Sequence, residues 1–210
     1  MVEQLYAAKE LPNNQCPIEI PTVAEALYGQ TRKALAKEGF TFIAAIEPVS
    51  IGQLVTDEAT SQYFGYVNTS ENMRAIVPPQ MEVAINPKNL RNRDSNFKST
   101  DTQIRMIQEE EAALKGKLSQ EVRDFISMRI QNASVLAQLD SKYHSKTRKV
   151  LFTNWFGRTD DQTRSPGFVA SVGRHAPAHH LFVDDWVRGY GGGLLIFAFP
   201  VVVLPRKLAV

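Results

Sequence analysis

One cysteine in 210 residues, Cys16, leaves no disulfide to be made within the chain. Its setting, Asn14-Gln15-Cys16-Pro17, has neither a CxxC spacing nor the pattern of a metal knuckle. Reactive thiols need an activating neighbour, and no such residue adjoins it, so Cys16 reads as an ordinary thiol in a reducing compartment. Long apolar runs are also missing. The longest, residues 194–204, is broken by Pro200, whereas a membrane-spanning helix needs about 20 apolar residues. No membrane is expected. Residues 1–10 carry Glu3, Lys9 and Glu10 and no apolar stretch, which predicts no secretory leader and places the protein in the cytoplasm. There is no excess of one charge: 24 Lys and Arg stand against 22 Asp and Glu. The pI of about 8.6 falls short of the value above about 9 that marks a dedicated nucleic-acid binder. Repeats and low-complexity tracts are absent, and 43% apolar residues suffice for a buried core.

The pattern that is present alternates between helix and strand. Thr22 and Glu25 have the spacing of a capping box, and Gly39 that of a C-cap, which predicts a helix between them. Residues 41–46, 62–67, 73–77 and 81–85 read as strands, with 50–55 as a helical turn. Residues 89–99 are polar and are expected to form an exposed loop. Three central helices follow: one capped by Thr100 and ended by Gly116, one from Ser119 burying Val122, Phe125, Ile126 and Ile130, and one from Asn132 or Ser134 burying Val135, Leu136, Leu139 and Tyr143. The last third reads as strands over 149–156, 167–173, 180–185 and 194–204, with no helix-length segments between them. They are expected to pair antiparallel, as a meander or partial barrel. The last is expected to lie centrally, with a bulge or exit at Pro200. The fold class is therefore α+β: an N-terminal helix and short strands, three central helices and a mainly antiparallel C-terminal sheet. We read it as a single domain over residues 1–210, with possible subdomains at 16–147 (mixed) and 148–210 (β-rich); an independent C-terminal barrel is the alternative.

The sequence alone does not state a function. His175, His179, His180, Asp184 and Asp185 crowd into eleven residues, the only concentration of residues suited to acid–base or metal chemistry. On a strand, His179 and His180 face opposite sides, and His180 and Asp184 stand about 13 Å apart, so no metal is expected. Gly189 to Gly193 leads into a strand, whereas a phosphate loop leads into a helix. Ser95 and Lys98 match Ser-x-x-Lys without its companion motifs. The basic residues recur instead: Lys88, Arg91, Arg93 and Lys98 in one loop, Lys142, Lys146, Arg148 and Lys149 in the next group, and Arg158, Arg164, Arg174 and Arg188 among Trp155, Phe156, Trp186 and Tyr190. Cations interleaved with aromatics suit single-stranded nucleic acid.

Three classes follow. The favoured one is a binding protein with no cofactor, nucleic acid its most concrete ligand, using Arg148, Lys149, Arg158, Arg174, Trp155 and Trp186. The second is a hydrolase or transferase using His175, His179 or His180 with Asp160, Asp161, Asp184 or Asp185. The third is an assembly subunit that forms a homo-oligomer.

Overall fold

The computed structural model describes residues 19–68, 70–163, 167–175, 180–189 and 195–208. Cys16, Arg164, His179 and Tyr190 lie outside them, as does most of the glycine run at 189–193. In chain order the elements are β1 (Thr22–Val23), α1 (Glu25–Lys37), β2 (Phe42–Ile46), α2 (Ile51–Thr56), α3 (Glu58–Ser61), β3 (Phe64–Val67), α4 (Glu71–Ala75) and β4 (Met81–Ile85). Then come α5 (Thr100–Lys117), α6 (Gln120–Arg123), β5 (Ser127–Arg129), α7 (Ala133–Thr147), β6 (Phe156–Gln162), β7 (Phe168–Gly173), β8 (Leu181–Val187), β9 (Ile196–Phe197), β10 (Val201–Val203) and β11 (Arg206–Lys207). The α+β class holds.

Two main sheets flank α7. A four-stranded antiparallel sheet has the order β2-β4-β10-β5; a five-stranded mixed sheet has the order β3-β8-β7-β6-β9. In the second, β6, β7 and β8 form the expected antiparallel meander, while β3 joins β8 and β9 joins β6 in parallel. No closed barrel forms among the described residues. Strands from both halves of the chain contribute to each sheet: β10 lies between β4 and β5, and β3 is an edge of the sheet otherwise built from residues 156–197.

Alternation along β10 shows how the layers stack. Val201 and Val203 face α7, in a core shared with Val83, Ile85, Leu136, Leu139, Val172 and Val183. Val202 points the other way, into a second core with Leu35 of α1, Ile107 and Leu114 of α5, and Met128. Residues 133–140 of α7 are consequently all buried, because apolar surface meets that helix from both sheets. Seven valine, leucine, isoleucine and phenylalanine side chains of residues 196–204 are buried, six of them within or between β9 and β10 and the seventh, Leu204, directly after β10.

Several local expectations yield to tertiary pairing. Thr22 does not cap α1; it pairs with Arg206 in a two-stranded parallel ladder, and the N-cap, Ala24, has no side-chain cap bond. The other end is as expected: Gly39 has φ +92°, its N–H donates to the Ala36 carbonyl, and Phe40 N–H donates to that of Leu35, a Schellman close. Residues 73–77 do not make a strand; the helix α4 runs Glu71–Ala75, buries Met73 and packs on α2. Ser99, not Thr100, caps α5, which continues through Gly116 to Lys117. The expected second central helix is only α6, after which Ile126, Met128 and Ile130 are buried alternately as β5 pairs with β10. The strand at 149–156 begins only at Phe156, since Arg148 and Asn154 take positive φ. The terminal strand divides at Pro200, β9 going to one sheet and β10 to the interior of the other. Within the 89–99 loop, Ser95 is wholly buried, its hydroxyl accepting from Ala198 N–H at 2.8 Å.

Candidate functional site

The chain leaving β4 turns at once. The Asn86 side chain accepts from Lys88 N–H at 3.0 Å, and Asn92 N–H donates to the Ala198 carbonyl at 3.1 Å, pinning the loop 87–93 at both ends. Across from it α7 ends in Arg148, left-handed at φ 60°, whose N–H donates to the His144 carbonyl. This close turns residues 148–155 back toward the loop. Between the two segments lies a cleft of about 430 Å³, walled by Lys88, Arg91, Arg93, Lys149, Tyr143 and Trp155 among others, with no carboxylate in its lining. Four like charges around one opening repel each other and attract a polyanion. Two basic groups far apart in sequence thus meet. Their other members have different occupations: Lys142 and Lys146 donate to the carbonyls of Ala45 and Ile43 on β2, covering a sheet edge.

The six residues singled out for nucleic acid separate by burial. Arg148 and Lys149 are exposed. Trp155 is buried, edge-on to Phe152 and Phe199 at centroid distances of 4.8 and 5.8 Å. Arg91 sits over its ring at 5.7 Å and over Phe197 at 4.5 Å, which leaves the indole as a wall of the cleft and not a free stacking platform. Trp186 is half-buried in β8 opposite Val169 and lines neither cleft described here. Arg158 is only 1% exposed; its Nε donates to Gln103 at 3.0 Å, and burial pulls its pKa down to about 10. Arg174 is likewise sealed, paired with Asp140. Burial puts both guanidinium groups beyond the reach of a phosphate chain.

On the other side of α7's C-terminal end is a second cleft, of about 470 Å³, lined by Thr60, Gln62, Tyr63, Ser141, His144, Arg174 and His180 among others. Its floor is organised by Asp140, which is fully buried. One carboxylate oxygen accepts from Tyr63 Oη at 2.6 Å and from Arg174; the other accepts from Leu151 N–H at 2.7 Å. Burial, and after it the Asp140 carboxylate, push the Tyr63 hydroxyl well above its ordinary pKa, so it stays protonated and donates. The Arg174 guanidinium also lies over the Tyr63 ring at 5.1 Å. Tyr63, Asp140 and His144 went unmarked in the sequence. The available signal was Asp140 itself, an acid between Leu139 and Tyr143 on the apolar face of a helix, where an unpaired charge would not be kept.

The histidine–aspartate cluster does not converge. His175 is exposed, its ring between Phe156 and Phe182 at 4.8 and 5.3 Å, whereas His180 opens into the second cleft. Asp184 and Asp185 are consecutive in β8, opposite Ser171 and Ala170, and so point to opposite faces. No group of three His, Cys, Asp or Glu side chains among the described residues could hold a metal ion. Asp160 and Asp161 sit elsewhere, at the bulge between β6 and β7. Burial raises Asp160 to about 6 against the nearby charges of Arg129 and Arg188. Burial and then Asp160 raise Asp161 well above the ordinary carboxylate range, although it accepts from Ala133 N–H at the start of α7. No helix among the described residues is long and apolar enough to cross a membrane. No family model, curated protein or solved structure matches the chain.

Proposed function

We propose that this chain is a cytoplasmic binding protein for single-stranded nucleic acid, which it holds by the phosphates in the cleft between residues 87–93 and 148–155. One observation carries the reading: Lys88, Arg91, Arg93 and Lys149 line a single opening with no carboxylate among its walls. Arg148, exposed beside Lys149, extends the same field. The ligand is gripped mainly through its backbone, because the one indole in the cleft is already covered by Arg91. Such contact is tolerant of sequence.

Fluorescence anisotropy with a labelled 15-nucleotide strand, at low and moderate salt, tests this. Four phosphate-contacting cations on a single strand give a log–log salt slope of about −3. Lys88→Ala/Arg93→Ala/Lys149→Ala should flatten that slope and lose most of the affinity. Dissociation constants weaker than about 100 μM at low salt, the weak end of non-specific binding, or equal binding by the triple variant, would refute the proposal.

A further inference from the structure

The two clefts adjoin. Val150 lines both, and the consecutive α7 residues Tyr143 and His144 line one each. Asp140 ties them mechanically: the carboxylate that fixes Tyr63 and Arg174 on the floor of the second cleft also accepts from Leu151 N–H, in the segment that carries Lys149 and Val150. Their chemistry differs in kind. The first cleft is open and cationic. In the second, the one guanidinium is matched by a buried carboxylate and the tyrosine stays protonated, so its floor carries no net charge. Its lining likewise includes no carboxylate. What it offers instead is flat and polar: the imidazoles of His144 and His180, the amide of Gln62, and the hydroxyl of Ser141, that of Thr60 being donated to the Leu54 carbonyl. No hydrogen bond to a described residue occupies the side chains of Gln62, Ser141, His144 or His180. At about 430 and 470 Å³, each cleft is of the size that takes a small ligand.

We propose that the two clefts are halves of one nucleotide site: phosphates lie in the cationic cleft, and the attached base crosses Val150 into the neutral one. There it rests against the imidazoles, with its edge toward Gln62 and Ser141. A base is what a cleft whose one guanidinium is already matched by a buried carboxylate, and whose walls carry an amide, a hydroxyl and two imidazoles, can hold without leaving a buried charge unmatched. This inference rests on the phosphate-binding reading of the first cleft and adds to it a place for the base. The nucleotide is either free, as a nucleoside polyphosphate, or part of a strand.

Titration calorimetry on the full chain, without divalent metal, separates these possibilities. The probes are tripolyphosphate, a nucleoside triphosphate and a ten-nucleotide oligothymidylate; the variants are Gln62→Ala/His144→Ala in the neutral cleft and Arg93→Ala/Lys149→Ala in the cationic one. The nucleoside triphosphate should bind roughly 5- to 150-fold more tightly than tripolyphosphate, the worth of stacking one base. Gln62→Ala/His144→Ala should remove that advantage while leaving tripolyphosphate unchanged, which also shows that the variant is folded. Arg93→Ala/Lys149→Ala should weaken all three probes. An oligonucleotide that outcompetes the triphosphate by more than tenfold identifies the source as a strand; the reverse identifies a free nucleotide. Equal binding of triphosphate and tripolyphosphate, or indifference to Gln62→Ala/His144→Ala, would overturn this inference and leave the cationic cleft standing. Failure of every probe to bind would overturn both.

Discussion

On one side of α7's C-terminal end, Arg91, Arg93, Lys88 and Lys149 face an open cleft; on the other, Arg174 is sealed against Asp140 and Tyr63. Both sets look alike in sequence, as cations near aromatics. Their energetics are opposite. An exposed cation keeps its hydration and costs the fold almost nothing, so it is available to a ligand. A buried one has lost its water and is tolerable only because a carboxylate and hydrogen bonds replace it. The buried arginine therefore belongs to the scaffold that shapes both clefts, and the exposed ones belong to whatever enters them.

That contrast presupposes a framework common to both sides, and the largest expected effect is its loss. Truncation after residue 193 removes both β9 and β10, with seven buried apolar side chains from the two cores. At about 1.5–3 kcal/mol for each, the loss exceeds a usual net stability of about 5–15 kcal/mol. The shortened chain should show no cooperative unfolding by circular dichroism and no native-like hydrogen-exchange protection; a folded product would contradict the placement of β10.

The next effect is on the buried pair. Asp140→Ala removes the carboxylate that Arg174 pairs with and strips the same partner from Tyr63 and Leu151. Breaking one side of such a pair costs about 3–5 kcal/mol, readable in urea denaturation, and the clefts on both sides should lose their shape together. If Asp140→Ala proves as mild as a surface change, the division between scaffold and ligand-facing cations collapses.

The half-buried Asp160 and the buried Asp161 sharpen the comparison from the negative side, since neither makes an ion pair among the described residues. Both have folded-state pKa values raised above the unfolded one; for Asp160 the native state holds the extra proton between roughly pH 4 and 6, and stability falls as pH rises through that window. For Asp160, the difference between 3.8 and about 6 corresponds to at most about 3 kcal/mol. The melting temperature should accordingly be higher at pH 5 than at pH 7, and Asp160→Asn should recover most of the difference at pH 7. A flat pH profile would show that Arg129 and Arg188 already match the charge.

Smallest of all should be Arg93→Ala and Lys149→Ala, which should alter stability by no more than about 0.5 kcal/mol, because neither makes an ion pair among the described residues. A larger loss would assign them to the scaffold after all.

Class and local grammar were legible without coordinates. The α+β class, the Gly39 close of α1, β4 over Met81–Ile85 and the start of α7 at one of the two expected caps, Asn132, all follow from turn chemistry and periodicity acting within a few residues. Where the sequence misled, two structures shared one pattern. Val122, Ile126 and Ile130 suit a helix, yet Ile126, Met128 and Ile130 suit a strand equally well, and only the ladder to β10 selected it. The apolar run at 194–204 announced burial but not that Pro200 would divide it between two sheets. The candidate site was half legible: its basic groups were visible as two separate runs, whereas Asp140, an acid on an apolar helical face, went unmarked. That residues 87–93 would meet 148–155, that Arg158 and Arg174 would be sealed while Arg91 and Arg93 stayed open, and that His175 and His180 would part company were decided by tertiary structure alone. The physical reason is that periodicity records which face of an element is apolar, whereas charge availability depends on what other elements bury, and that is set by contacts tens of residues apart.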